Sequence, residues 1–449
     1  MKFKAFCLIL LFACPTVFAQ QKPPVNDATT PLHLLKPDYV TPYGAPKPEE
    51  VSAVLNRIFA YLDATTPIGF INEKTGEPIT DMSKIDSNTI LARGDFRIVS
   101  YEWGVTYAGM LSAAEATGDA KYRNYAEKRL TFIGDSAEKF KKSKGYEEWE
   151  GRMPLRNLIS PRNLDDTGAM TAAMIKAKRA GSKANVQPLI ETGINHILNK
   201  QYRLKDGTLA RNRPQANTLW LDDMFMSLPA LAQMGKMTGD KKYFDEAVRQ
   251  VLLFEQKMFN PSKNVFMHGW VESMEEHPQF HWARANGWAF MTLAEILDVL
   301  PADHPQYGKI LDLYRRHAKG LASYQSGFGF WHQLLDRNDS YLETSATAIY
   351  TYAYAKGINR RWLGAKEYAP MTLLAWNAVT TKVSEKGQVE GTCVGTGMAF
   401  DPAFYYYRPI SPFAAHGYGP VLLAGAEVLN LLKNKKFEIN DSSLQVLEK

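Results

Sequence analysis

A short phrase occurs twice in this chain, and its two copies restrict the fold more than any other feature. Thr117-Gly118-Asp119-Ala120-Lys121-Tyr122, then Ala126, returns as Thr238-Gly239-Asp240-Lys241-Lys242-Tyr243, then Ala247. A glycine can end one helix in a left-handed conformation, the aspartate after it can cap the next helix, and the tyrosine packs between the two. Each copy therefore predicts the turn of a helical hairpin. The copies lie 121 positions apart, about twice the ~60 residues of a hairpin with its loops, so one further hairpin fits between them. Six such hairpins need ~360 residues, which residues 48–435 supply. Closed into a ring they form an (α/α)6 barrel, an all-α fold. The alternative is an open helical solenoid, which would need polar caps on its end hairpins, and no such caps are evident.

The rest of the chain fits this frame. Val51, Leu55, Ile58, Phe59 and Leu62 recur at three and four residues and predict one apolar helical stripe. Helices are also predicted over 104–116, 167–180, 222–237, 287–300, 344–356 and 420–432, while strand signals are few and short. Residues 20–47 are rich in Pro, Asp and Thr and predict a leader that lies against the body, and residues 436–449 predict a tail. At the start, Lys2 and Lys4 precede an apolar run from Ala5 to Val17, with small residues before Gln20. This predicts a signal peptide over 1–19 and not a membrane span. A lipoprotein anchor at Cys14 is the lesser alternative. Removing 19 residues leaves about 430 of the 449, enough to bury a large core without staples. Only Cys393 remains among three cysteines, so no internal disulfide can form. Export without disulfides suits a bacterial periplasm. The 53 Lys and Arg against 47 Asp and Glu are spread too evenly to indicate nucleic acid binding, and are compatible with an anionic small substrate.

Three stretches can carry chemistry. In Leu219-Trp220-Leu221-Asp222-Asp223-Met224-Phe225-Met226, two acids sit inside an apolar run. Neighbouring helical residues point ~100° apart, so the pair cannot share a face: one acid can cap a helix while the other enters a cavity. A carboxyl ringed by Trp220, Met224 and Phe225 would be desolvated and its pKa raised, as a general acid needs. Asp165-Asp166 opens another apolar helix, where capping is again the plainer reading. In a barrel, however, the starts of the inner helices surround one mouth, and both pairs can face it. Finally, Trp282-Ala283-Arg284-Ala285-Asn286-Gly287-Trp288 flanks Arg and Asn with indoles. Tryptophan stacks on sugar faces and arginine grips carboxylates, although a structural Trp–Arg stack has the same composition. His268-Gly269-Trp270 and Tyr101-Glu102-Trp103-Gly104 lie upstream.

There is no HExxH, CxxC, P-loop or GxSxG pattern, and Pro278 spoils a helical metal pair of His277 and His281. No metal or other cofactor is expected.

Taken together in this order and spacing, Trp220-Leu221-Asp222-Asp223-Met224-Phe225-Met226, His268-Gly269-Trp270, the Trp282–Trp288 stretch and Glu343-Thr344-Ser345-Ala346-Thr347 resemble glycoside hydrolase family 105, the unsaturated rhamnogalacturonyl hydrolases, and more distantly the family 88 unsaturated glucuronyl hydrolases. The resemblance runs from about Trp103 to Ala426. It implies an (α/α)6 barrel without metal, with Asp222 as general acid and base and Asp223 in support. It also implies a second aspartate at Asp166 or Asp165, and substrate contacts at Tyr101, Trp220, His268, Trp282, Arg284, Asn286 and Trp288. The implied reaction removes a 4,5-unsaturated uronic acid from an acidic oligosaccharide, through a proton at C4 and water at C5. A hydrolase for a saturated uronide or neutral sugar, and a non-catalytic glycan-binding lipoprotein, are the alternatives. A barrel of this kind can act as a monomer.

Overall fold

A computed structural model of the chain describes residues 25–35, 37–143, 154–441 and 443–447. The predicted signal peptide and Cys14 lie outside the described residues. Both copies of the repeated phrase form the turns expected of them. Gly118 and Gly239 end their helices at φ 76° and 75°, and Asp119 and Asp240 each accept from the N–H two residues on.

Twelve helices of nine or more residues follow in pairs among the described residues. They are α1 (Pro48–Thr65), α2 (Tyr101–Thr117), α3 (Ala120–Lys142), α4 (Gly168–Arg179), α5 (Gln187–Asn195), α6 (Leu228–Thr238), α7 (Lys241–Met258), α8 (Ala283–Leu297), α9 (Tyr307–Ala322), α10 (Thr344–Asn359), α11 (Ala365–Thr380) and α12 (Tyr418–Asn434). Helices α2, α4, α6, α8, α10 and α12 touch in that order, and α12 touches α2, which closes an inner ring. Each inner helix carries one outer partner: α3, α5, α7, α9, α11 and, for α12, α1. The sequence dictates this division. Every residue of α8 is apolar enough, or bonded well enough, to be buried, whereas α9 buries only a stripe of Ile310, Leu313, Tyr314, His317, Ala318, Gly320 and Leu321.

Glycines set how closely the inner helices begin. A Cβ on Gly104 would stand 2.5 Å from the Ala169 carbonyl carbon, and one on Gly168 would strike the Met226 carbonyl. The starts of α2, α4 and the turn before α6 are thus drawn together at one mouth. At the same mouth the short strand Thr218–Trp220 pairs antiparallel with Gly269–Val271, with Trp220 opposite Gly269.

Two predicted segments differ in detail. The helix expected over 222–237 is broken: Leu221–Met224 form a 3-10 turn, Ser227 Oγ donates to the Asp223 carbonyl, and α6 begins only at Leu228. The tail is an ordered hairpin, Phe437–Asn440 with Ser443–Val446, packed on α11. Leu444 N donates to Tyr43 Oη, and Asn377 Nδ2 donates to the carbonyls of Pro42 and Gly44, so leader and tail are fastened to the same side. Among the described residues no helix is long and apolar enough to cross a membrane.

Candidate active site

The strand pairing brings two distant residues into contact. Asp222 follows Trp220 by two positions and His268 precedes Gly269, and the Asp222 Oδ2 lies 2.9 Å from His268 Nε2. On its other side His268 Nδ1 lies 2.7 Å from Tyr405 Oη. The Trp282 ring stands 4.7 Å from the imidazole. Asp222 is 8% exposed, so it sits at the bottom of the mouth and not on a rim.

A cation organises the remaining acids. Arg211 donates Nε and Nη2 to the two oxygens of Asp223 at 2.9 and 2.7 Å, and Nη2 also to Asp165 at 3.0 Å. Its guanidinium lies over the Trp220 ring at 4.0 Å. The capping roles expected from spacing are absent. Asp223 turns to Arg211, and α4 begins without a side-chain cap while Asn163 accepts from the Asp166 backbone N–H.

The charge on Asp222 is a correction to the sequence reading, which expected a raised pKa. Burial does push its carboxyl up, but the facing His268 and the charge of Arg211 outweigh burial and hold it below the ordinary carboxylate value. Asp166, half-buried and beside Asp165, is the raised one, pushed up to about 6 mainly by burial. Burial also raises Asp223 against the pull of Arg211.

Across the mouth, Tyr101 Oη meets His416 Nε2 at 2.5 Å, and Glu102 Oε1 stands 3.4 Å from the same nitrogen. Burial raises Glu102 and lowers His416, so both tend to neutrality. Burial, first, and the charge of Glu102 raise the Tyr101 hydroxyl, against Arg284, with smaller pushes from Asp165 and Asp222. Arg284 is buried over the Trp282 ring at 4.6 Å. It donates to the carbonyls of Cys393 and Val394 at 2.7 Å each, and Glu343 lies 3.8 Å away. It therefore lends the mouth its charge, but its two Nη groups are already engaged, unlike the free fork expected.

Two predicted contacts belong to the core. Asn286 bonds the N–H and carbonyl of Phe266, the Trp282 carbonyl and His317. Trp288 is buried and stacks on Phe225 at 4.9 Å. Sequence reasoning assigned no role to Arg211, Tyr405, Glu102 or His416. Glu102 lay beside Tyr101 in a stretch already singled out, and Tyr405 lies in the aromatic run Phe404-Tyr405-Tyr406-Tyr407, whereas Arg211 and His416 sit in no motif.

A cavity of about 730 Å³ opens at the opposite mouth, where the inner helices end. Ion pairs of Lys176 with Glu295 and of Lys356 with Asp298 and Glu427 line or floor it. Cations in last helical turns answer the helix dipoles there, and it lacks the carboxylate–imidazole pair. Among the described residues no group of three or more His, Cys, Asp or Glu side chains is arranged to hold a metal.

An (α/α)6 barrel with a buried carboxylate and indole walls at one mouth has the form of a glycoside hydrolase. Residues 76–432 match the family model for Glycosyl Hydrolase Family 88, and the chain belongs to that family. It is 25% identical over 342 residues to the unsaturated rhamnogalacturonyl hydrolase YesR of Bacillus subtilis, covering 74% of this chain and 91% of that protein. It is 29% identical over 288 residues to an unsaturated 3S-rhamnoglycuronyl hydrolase of Alteromonas sp., covering 61% and 68%. A crystal structure of a possible member of the GH105 family from Salmonella enterica superposes with TM-score 0.67 at 23% identity, covering 91% of this chain and 99% of that one. The family resemblance and the barrel expected from sequence are both borne out.

Proposed function

We propose that this glycoside hydrolase removes a 4,5-unsaturated uronic acid from the non-reducing end of acidic oligosaccharides produced by polysaccharide lyases. The observation that carries the reading is the buried line Asp222–His268–Tyr405, which gives one carboxyl a proton partner. The names of the two relatives support it, and both pair the unsaturated uronide with rhamnose, so rhamnose-linked uronides are the first substrates to try.

In this reading Asp222 gives a proton to C4. The C4=C5 electron pair forms the new C–H bond, and positive charge develops at C5 and the ring oxygen. Water attacks C5 and returns a proton to Asp222. The hemiketal opens by breaking its bond to the ring oxygen, which leaves a ketone at C5 and a hemiacetal at C1. Collapse of that hemiacetal releases the next sugar, so one water is consumed overall. The charge of Arg284 favours the uronate carboxylate in the mouth. The buried indole N–H groups of Trp220 and Trp282 have no partner within the protein, and suit a ligand rich in acceptors. We further propose that the chain is exported through its N-terminal segment and acts as a monomer.

Asp222→Asn keeps the shape of the side chain and removes the acid. It is expected to lower turnover by at least ~10³-fold while oligosaccharide binding persists, read by single-turnover assay and calorimetry. Turnover like that of wild type would remove Asp222 from the central role.

A further inference from the structure

The depressed Asp222 poses a problem for the reaction just proposed. An aspartate held ionised by its neighbour has no proton to give, yet the first step needs a donor. The hydrogen-bond pattern around Tyr405 offers a solution.

The Tyr405 hydroxyl has one proton and three polar neighbours. Ala399 N–H donates to it at 3.1 Å, the Ala399 carbonyl lies 3.2 Å away, and His268 Nδ1 lies 2.7 Å away. The amide N–H is a fixed donor, so the phenolic proton must choose between the carbonyl and Nδ1. When it points to Nδ1, the imidazole is neutral, carries its proton on Nε2 and donates to the Asp222 carboxylate. When it points to the Ala399 carbonyl, the oxygen accepts from a protonated Nδ1. The Asp222–His268 pair then holds one extra proton, on Nε2 or on Asp222. In both states every buried donor has an acceptor, which is the condition for such a site to change charge at low cost.

We propose that Tyr405 is a positioning residue that loads the catalytic pair: its hydroxyl turns between His268 Nδ1 and the Ala399 carbonyl, and so lets Asp222 and His268 take up and release a proton without an unpaired buried donor. This rests on the reaction proposed above, and extends it by naming where the C4 proton is stored. Asp222 is the carboxylate bonded to the ring. Arg211 and Asp223 act on it from the neighbouring turn, Arg284 and Tyr101 act from across the mouth, and Asp401 acts on Tyr405. The indoles of Trp282 and Trp220 complete the wall around the imidazole.

The test is nuclear magnetic resonance of histidine ring nitrogens in the full chain, with the His268 signal identified by its loss in His268→Gln. In the wild type at high pH, His268 should carry its proton on Nε2, with Nδ1 bare. On acidification both nitrogens should be protonated in one step. A high-pH tautomer with the proton on Nδ1 would overturn the proposal without any Tyr405 variant. Tyr405→Phe keeps the ring against Phe280 and Phe404 and removes the hydroxyl. The pair should then lose its proton about one pH unit lower, and the alkaline limb of kcat/KM should move with it, with kcat falling ~10-fold and KM changing less. A residue that merely packs would lower activity equally at all pH values and leave the titration in place, which contradicts the proposal. If wild type fails to act on unsaturated uronides while these titrations behave as described, the reaction reading falls and the proton-loading pair stands.

Discussion

Arg211 meets Asp223 fork to fork, with both carboxylate oxygens engaged at 2.9 and 2.7 Å. The aspartate is fully buried and the arginine side chain is 15% exposed, and its second target is Asp165. The pair joins the loop before Thr218 to the 3-10 turn that presents Asp222, so the position of the Asp222 carboxyl depends on it.

Removing the arginine should therefore cost far more than removing a surface charge. Arg211→Met fills the space over Trp220 but strands Asp223. We expect a loss of about 3–5 kcal/mol at pH 8, measured by urea unfolding. A loss below about 1 kcal/mol would mean that the turn is held by packing alone.

Asp166 makes the opposite prediction with pH. Its carboxyl keeps a proton to about 6 in the fold and to the ordinary 3.8 when free. Between those values the folded state binds the extra proton, so this group's contribution falls as pH rises and is fully unfavourable above the window. Asp166→Asn should then be more stable than wild type at pH 8, by about 1 kcal/mol once solvent screening is allowed for, and equal to it near pH 3.5. Parallel unfolding curves at the two pH values decide this.

Asn286 was expected to touch substrate and instead satisfies the backbone of Phe266. Asn286→Ala should cost about 3 kcal/mol of stability by leaving those buried groups unpaired. The KM of the surviving folded enzyme should change less than twofold by the same argument. A large KM change with unaltered stability would restore the residue to the site.

These cases show where the sequence was readable. The repeated glycine–aspartate turn and its spacing revealed the barrel, because helix ends are set by local sequence. Asp222 and His268 each stood in a legible motif. Their contact was not legible, since it depends on the pairing of Thr218–Trp220 with Gly269–Val271, and with it went the sign of the Asp222 shift. Trp288 shared a motif with Trp282, but it lies in α8 one turn deeper and packs on Phe225. Arg211, Tyr405 and His416 come from loops or short turns, and only the folded chain collects them. The tail hairpin was missed for a related reason: its register is fixed by contacts with Tyr43 and α11, far away in sequence.

The most direct test of the central claim is absorbance near ~235 nm during incubation with a panel of lyase-generated oligosaccharides, since the conjugated C4=C5 bond is the proposed reacting group. A fall with at least one rhamnose-linked member, absent with Asp222→Asn, is the predicted result. Unchanged absorbance across the panel, from a folded protein that cleaves a saturated counterpart, would contradict it.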